Sequence, residues 1–246
     1  LMAQMMIGVL APASYVSYNI LAILCCAALL PLTLTKVPQP ETPSAPRLRP
    51  RLAFERSPLA AACVVVAALS AASFRMVGPL YGQEVGLSVG EIAWFLSAFV
   101  FGGALAQYPV GWLADKYDRR WILIWLSVTA MLSCGVTVMA AGMGTAGIML
   151  TAFLFGFTSF PIFSVATAHA HDFAKDSERV ELSAALMFYY ALGAIAAPYV
   201  ASVLITAYGP SALFILIAGG HALLIVFGLT RMLARPVSSE KTDYVY

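Results

Sequence analysis

The residues of this chain that could do chemistry fall into three groups. The first is the run Gly111-Trp112-Leu113-Ala114-Asp115-Lys116-Tyr117-Asp118-Arg119-Arg120, in which carboxylates and guanidiniums crowd between two apolar stretches. Asp115 can face the positive N-terminus of the helix that follows or pair with Arg119 or Arg120, while Gly111 permits close approach of a neighbouring helix. A clasp of this kind holds one conformation and breaks in another. Judged by its charges alone, the run is also what an ordinary charged turn looks like. The second group is Arg75 by itself, a charge inside an apolar stretch. Such a placement costs from roughly 2.5 kcal/mol upward and is functional by default. Two readings stay open for it: attraction of an anionic substrate group, or snorkelling to an interface, since it lies roughly 26 Å along its helix from the basic start. The third group is His169-Ala170-His171-Asp172. Residues two apart on a helix do not face each other and no third ligand is evident, so no metal site is expected. Hydrogen bonding at a helix end is the reading favoured for His171.

Other polar residues of the apolar stretches include Gln107, Tyr108, Ser159, Thr167, Tyr189 and Tyr190. With Arg75 and His169 they are the candidates to line a solute cavity. Phe160, Ser164, Thr167 and His171 fall along one helical face. No nucleophile with a nearby base, no phosphate-binding glycine loop and no carboxylate pair deep in a span suggests catalysis. No cofactor is called for, and an enzyme built on His169 and His171 is a distant alternative.

The elements that must position these side chains follow from composition. Of 246 residues, 61% are hydrophobic and 11% charged, against roughly 45 to 50% and 25% in soluble domains. That surplus exceeds what a core of this size can hide, so much of it must face lipid. A bilayer core of roughly 30 Å needs about 20 apolar helical residues. Tyr15 to Leu34, Pro58 to Tyr81, Ile92 to Leu113, Trp121 to Ala141, Ala146 to Ala168, Leu182 to Tyr208 and Ser211 to Met232 qualify, and Leu1 to Ala11 is a partial span. Ser88 stands three residues before Glu91, as a capping box requires. Closed barrels are excluded because the stretches are twice strand length and do not alternate.

Basic residues alternate between connections as the positive-inside rule predicts. Thirteen of the fourteen fall on one side, and Arg75 is the exception. That side is expected to be cytoplasmic, together with the C-terminus. A net charge of +2 gives no sign of a nucleic-acid partner. Cys25, Cys26, Cys63 and Cys134 all lie in apolar runs and read as small packing residues. The stretch Val37 to Ser57 is rich in Pro and Arg and reads as an extended connector between two helical halves. The expected organisation is therefore the end of a helical bundle in 1–35, a cytoplasmic linker in 36–57, a six-helix bundle in 58–232 and a cytoplasmic tail in 233–246. The start at Leu1, without a signal-like segment, predicts that the chain begins inside a larger protein.

The pattern Gly111-x-Leu113-Ala114-Asp115-x-x-x-Arg119-Arg120 resembles the signature loop of the major facilitator superfamily, with Asp118 where that family usually has Gly. Met76 to Tyr81, Ala106 to Gly111, Ala168 to Asp172 and Tyr190 to Pro198 are similar to its YcaD-like bacterial branch. The resemblance implies an all-α integral membrane protein: helices 5 and 6 of an N-terminal half otherwise missing, the central loop, and helices 7 to 12. It also implies that helices 7, 8, 10 and 11 face a cavity while 9 and 12 are peripheral. This agrees with the poverty of polar residues in Trp121 to Ala141 and in Ser211 to Met232, which holds His221. The expected function is secondary transport of a small solute through a bacterial inner membrane. The alternative is a protein of the same fold that binds a lipid, peptide or partner protein and moves nothing.

Overall fold

The structure is a computed structural model that describes residues 15–35, 47–139, 142 and 144–234. The partial span Leu1 to Ala11, the connector through Pro46 and the tail from Arg235 onward lie outside the described residues. All regular structure among those described is helical. In chain order the helices are α1 Tyr15–Leu34, α2 Arg51–Arg56, α3 Pro58–Glu84, α4 Val89–Lys116, α5 Arg119–Met139, α6 Gly144–Ser159, α7 Pro161–His171, α8 Arg179–Tyr208 and α9 Ala212–Ala234. One 3-10 turn, Asp176–Glu178, precedes α8.

Among the described residues, six spans are long and apolar enough to cross a membrane: α3, α4, α5, the bent pair α6 and α7, α8 and α9. Local chemistry fixes their ends. Ser57 caps α3 by accepting from Ala60 N at 3.1 Å, with Pro58 in the first turn where its missing N–H costs nothing. The expected capping box starts α4: Ser88 Oγ accepts from Glu91 N, and Glu91 accepts from Ser88 N at 2.8 Å. Gly209, at φ +84°, ends α8 in a backbone conformation that favours glycine. The span read as one helix from Ala146 to Ala168 is broken at Phe160, because Pro161 has no N–H to continue the ladder.

The six spans lie against one another in a regular way. α4 packs along α6, α3 along α8, and α5 along α9. Successive spans alternate in direction, so α4 and α6 are parallel, as are α3 and α8. The first span pairs with the fifth, the second with the fourth and the third with the sixth, a pairing that two inverted three-helix units would give. The chain accordingly has a basic end, where α4, α7 and α9 finish and α3, α5 and α8 begin, and an opposite end.

Two apolar cores fill the bundle. Toward the opposite end, Phe74, Phe95, Phe99, Phe155 and Phe214 interlock, with ring centroids of Phe74 and Phe99 4.3 Å apart. Toward the basic end the core is small and aliphatic, with Ala60, Ala61, Ala106, Ala166, Ala170 and Ala185 all buried. Small side chains let backbones approach, and that supplies dispersion contact where lipid gives no hydrophobic drive.

The connector before α3 is not extended over its described part. α2 buries Leu52 and Ala53, and Phe54 meets Tyr189 edge-on at 4.9 Å. Arg56 pairs with Glu178 at 2.7 Å and Arg49 with Glu181 at 3.1 Å, which docks the segment on the start of α8.

Candidate functional site

Halfway along the bundle, α3, α4, α8 and the α6/α7 bend line an open cavity of about 220 Å³. α3 presents Ala67, Ala71 and Arg75, one helical face at steps of four residues. α4 contributes Gln107, while Ser159 and Phe160 come from the bend itself. Phe163 and Ser164 of α7 and Met187 and Tyr190 of α8 complete the wall. α5 and α9 contribute nothing to it.

Pro161 explains why the bend matters. By ending α6 it turns the Phe160 ring toward Gly103, where a Cβ would come within 2.5 Å of that ring. The guanidinium of Arg75 lies over this aromatic, its central carbon 5.5 Å from the ring centroid. Such a contact is worth about 0.5 to 2 kcal/mol, less than the cost of an unneutralised charge in a membrane interior. Arg75 is nonetheless a wall residue of the cavity, its guanidinium held against Phe160. Ser159 Oγ donates to Phe155 O at 2.7 Å, leaving its lone pairs to face the cavity.

Of the cavity candidates suggested by sequence, Arg75, Gln107, Ser159 and Tyr190 are thus brought together, and four are not. Tyr108 is one residue and about 100° round the helix from Gln107, and it is exposed on a different face. Tyr189 packs against Phe54 and Phe188. Thr167 keeps its hydroxyl buried without a hydrogen-bond partner. His169 is buried at the basic end, edge-on to Phe173, beside a small cleft lined by Ser57, Arg120 and Arg231. His171 faces elsewhere, with Nδ1 2.8 Å from Thr167 O and Nε2 3.1 Å from Ser183 Oγ. The cavity residues the polar inventory overlooks are Ala67, Ala71, Phe163 and Met187; the spacing of Ala67, Ala71 and Arg75 is the signal that could have found the first two.

The charged run between α4 and α5 forms the second part of the site. Arg119 is the largest fully buried side chain, with 1% of its surface exposed. It donates to Asp115 Oδ1 at 3.1 Å, to Asp172 Oδ1, and to Ala168 O at 3.3 Å. One guanidinium thereby ties the end of α4 and the start of α5 to the end of α7. Asp172 is the partner that sequence reasoning did not supply. Arg120 instead pairs with Asp118, which also accepts from Arg120 N at 3.0 Å. Burial works to raise the Asp118 pKa, but the hydrogen bonds and charge of Arg120 outweigh it and hold the carboxyl below its ordinary value.

This geometry agrees with comparison to known proteins. Residues 59–244 match the sequence profile of the Major Facilitator Superfamily. The chain belongs to that superfamily. Among curated relatives, an uncharacterized MFS-type transporter of Yersinia pestis (strain Pestoides F) is 29% identical over 182 residues, covering 74% of this chain and 45% of the relative. One of Enterobacter sp. (strain 638) is 27% identical over 222 residues, covering 89% and 56%. The uncharacterized MFS-type transporter YcaD of Salmonella heidelberg (strain SL476) is 27% identical over 194 residues, covering 78% and 50%. The chain spans about half the length of the curated relatives it matches. It is an integral membrane protein of the all-α superfamily fold, as the signature-like run implies. Within that fold Asp118 does not strain the loop, since no described residue other than glycine adopts positive φ. Gly111 is buried.

Proposed function

We propose that this chain forms the C-terminal part of a secondary transporter that carries a small solute across the bilayer by alternating access. The solute binds in the cavity lined by Arg75, Gln107, Ser159 and Tyr190. A second helical half, outside this chain, closes the other wall, and the basic end faces the cytoplasm. The observation that carries the reading is the position of the cavity: it sits midway between the two ends, where the break at Pro161 and the helices that carry polar residues converge. In an inverted-repeat bundle a midplane site is the point about which both ends can open in turn.

The Asp115–Arg119–Asp172 cluster is the latch on the cytoplasmic side. It joins the first three-helix unit to the second, so it must loosen when those units shift. Removing Asp115 leaves Arg119 one carboxylate, Asp172, which weakens the latch without stranding a buried charge.

The test needs no knowledge of the solute. Every cysteine of the full-length protein, Cys25, Cys26, Cys63 and Cys134 among them, is first replaced, and Ala71→Cys is then labelled with a membrane-impermeant thiol reagent in right-side-out and in inverted vesicles. Reaction from both sides is expected, and Asp115→Ala should shift the balance between them by several-fold while leaving the protein folded. Labelling from one side only would reject alternating access; an unchanged balance in Asp115→Ala would reject the latch.

A further inference from the structure

We infer that the cavity selects a small organic anion, whose charged group is received by Arg75 and whose carbon skeleton lies against Ala71, Phe163 and Met187. The inference rests on the proposed transport site and names the class of solute it takes.

Its starting point is an asymmetry in how the chain treats its arginines. At the basic end five of the guanidiniums are answered by carboxylates: Arg49 by Glu181, Arg56 by Glu178, Arg120 by Asp118, Arg179 by Asp176, and Arg119 by both Asp115 and Asp172. Arg75, the one basic residue inside a span, has no carboxylate within ion-pair distance among the described residues. None could easily reach it, because every Asp and Glu from 58 to 234 stands at a helix end or in a connection. Its neighbour is the face of Phe160, which orients a guanidinium without neutralising it.

The rest of the wall narrows the chemistry. A neutral polyol would need hydrogen-bond partners on every side, whereas half of the wall is Ala67, Ala71, Phe160, Phe163 and Met187. A cation would be repelled by Arg75. A carboxylate or other oxyanion attached to an apolar body satisfies both features: the guanidinium fork receives two oxygens, with the Tyr190 hydroxyl and the Gln107 amide as further donors.

The electrostatic part is tested in the cysteine-replaced protein carrying Ala71→Cys, one turn from Arg75 on the same face of α3. Its reaction rates with anionic 2-sulfonatoethyl methanethiosulfonate and cationic 2-trimethylammonioethyl methanethiosulfonate report the local potential. The anionic-to-cationic rate ratio should fall about tenfold or more in Arg75→Gln, as expected for losing one charge a few ångströms away in a partly desolvated site. The chemical part uses protection. Millimolar benzoate should slow labelling several-fold and benzamide should not, with protection lost in Arg75→Gln. Arg75→Lys should keep the rate ratio but weaken protection, because a point charge cannot receive two oxygens in parallel; this variant also serves if Arg75→Gln does not fold. An unchanged ratio in Arg75→Gln would mean that Arg75 is already neutralised by a carboxylate from the other half, and would overturn the inference. So would protection by benzamide equal to that by benzoate, or protection by neither. If labelling still occurs from both sides of the membrane in those cases, the transport reading survives and the anion alone falls. Labelling from one side only would remove the transport reading while the rate ratio remained readable.

Discussion

A guanidinium with 1% of its side chain exposed persists in a bundle only where its charge is matched. Arg119 meets that condition through Asp115 and Asp172, whose side chains are 25% and 5% exposed. Breaking such a buried pair by removing one partner costs about 3 to 5 kcal/mol, because the other charge is left desolvated and alone. Arg119→Gln removes the buried charge that Asp115 and Asp172 share, so its thermal unfolding midpoint in detergent should drop by many degrees. Arg120→Gln should lose much less, since its partner Asp118 is 22% exposed and can turn to water. Equal losses in the two variants would show that Arg119 does not occupy the centre assigned to it. The sequence exposes half of this cluster. Asp115 and Arg119 are four residues apart and readable as a helical pair, but Asp172 is 53 residues from Arg119 and is brought to it only by the packing of α7 against α5. Arg75 was legible as a misplaced charge; what the sequence left open was its direction, which the bend at Pro161 and the ring of Phe160 decide.

At the scale of elements, the spans were legible because a bilayer imposes a length and a composition that no soluble core requires. How closely they pack was less so. Gly102 and Gly103 stand out in their span, whereas Gly156 hides among phenylalanines. Yet a Cβ on Gly156 would lie 1.9 Å from Phe99 O, and one on Gly102 would lie 2.1 Å from Phe153 O. Both obstacles are backbone, so α4 and α6 would have to separate. The cost of Gly156→Ala should reach at least about 3 kcal/mol, the upper end of ordinary overpacking. Gly135→Ala is the control, as its Cβ meets nothing within 4 Å. Detergent thermal unfolding should show a large loss for the first and none for the second; similar curves would contradict the close approach. The short helix α2 was not legible at all. Its proline-rich approach suggests an extended chain, and the contacts that fold it, Arg56 with Glu178 and Arg49 with Glu181, join residues more than 120 positions apart.

The whole molecule inherits its orientation from charge. Apart from Arg75, every basic residue among those described sits at one end: four in and around α2, three in the α4–α5 connection, two before and at the start of α8, and Arg231 in the last turn of α9. The opposite end presents Glu84 and Glu91 and no Lys or Arg among the described residues. Moving such a cluster across a bilayer during insertion is strongly disfavoured, which is the physical content of the positive-inside rule. Glu84 and Lys175 are exposed, one at each end, and a span of 28 residues such as α4 covers roughly 42 Å, enough to separate them by the full membrane. In the cysteine-replaced protein expressed in intact cells, Glu84→Cys should therefore react with an impermeant maleimide, and Lys175→Cys only after the membrane is permeabilised. The reverse pattern would invert the topology and place the Arg119 latch on the outside. Reaction of both in intact cells would be worse, because no arrangement of six serial spans puts the ends of α3 and α7 on the same side while Arg119 joins α4, α5 and α7 at the other.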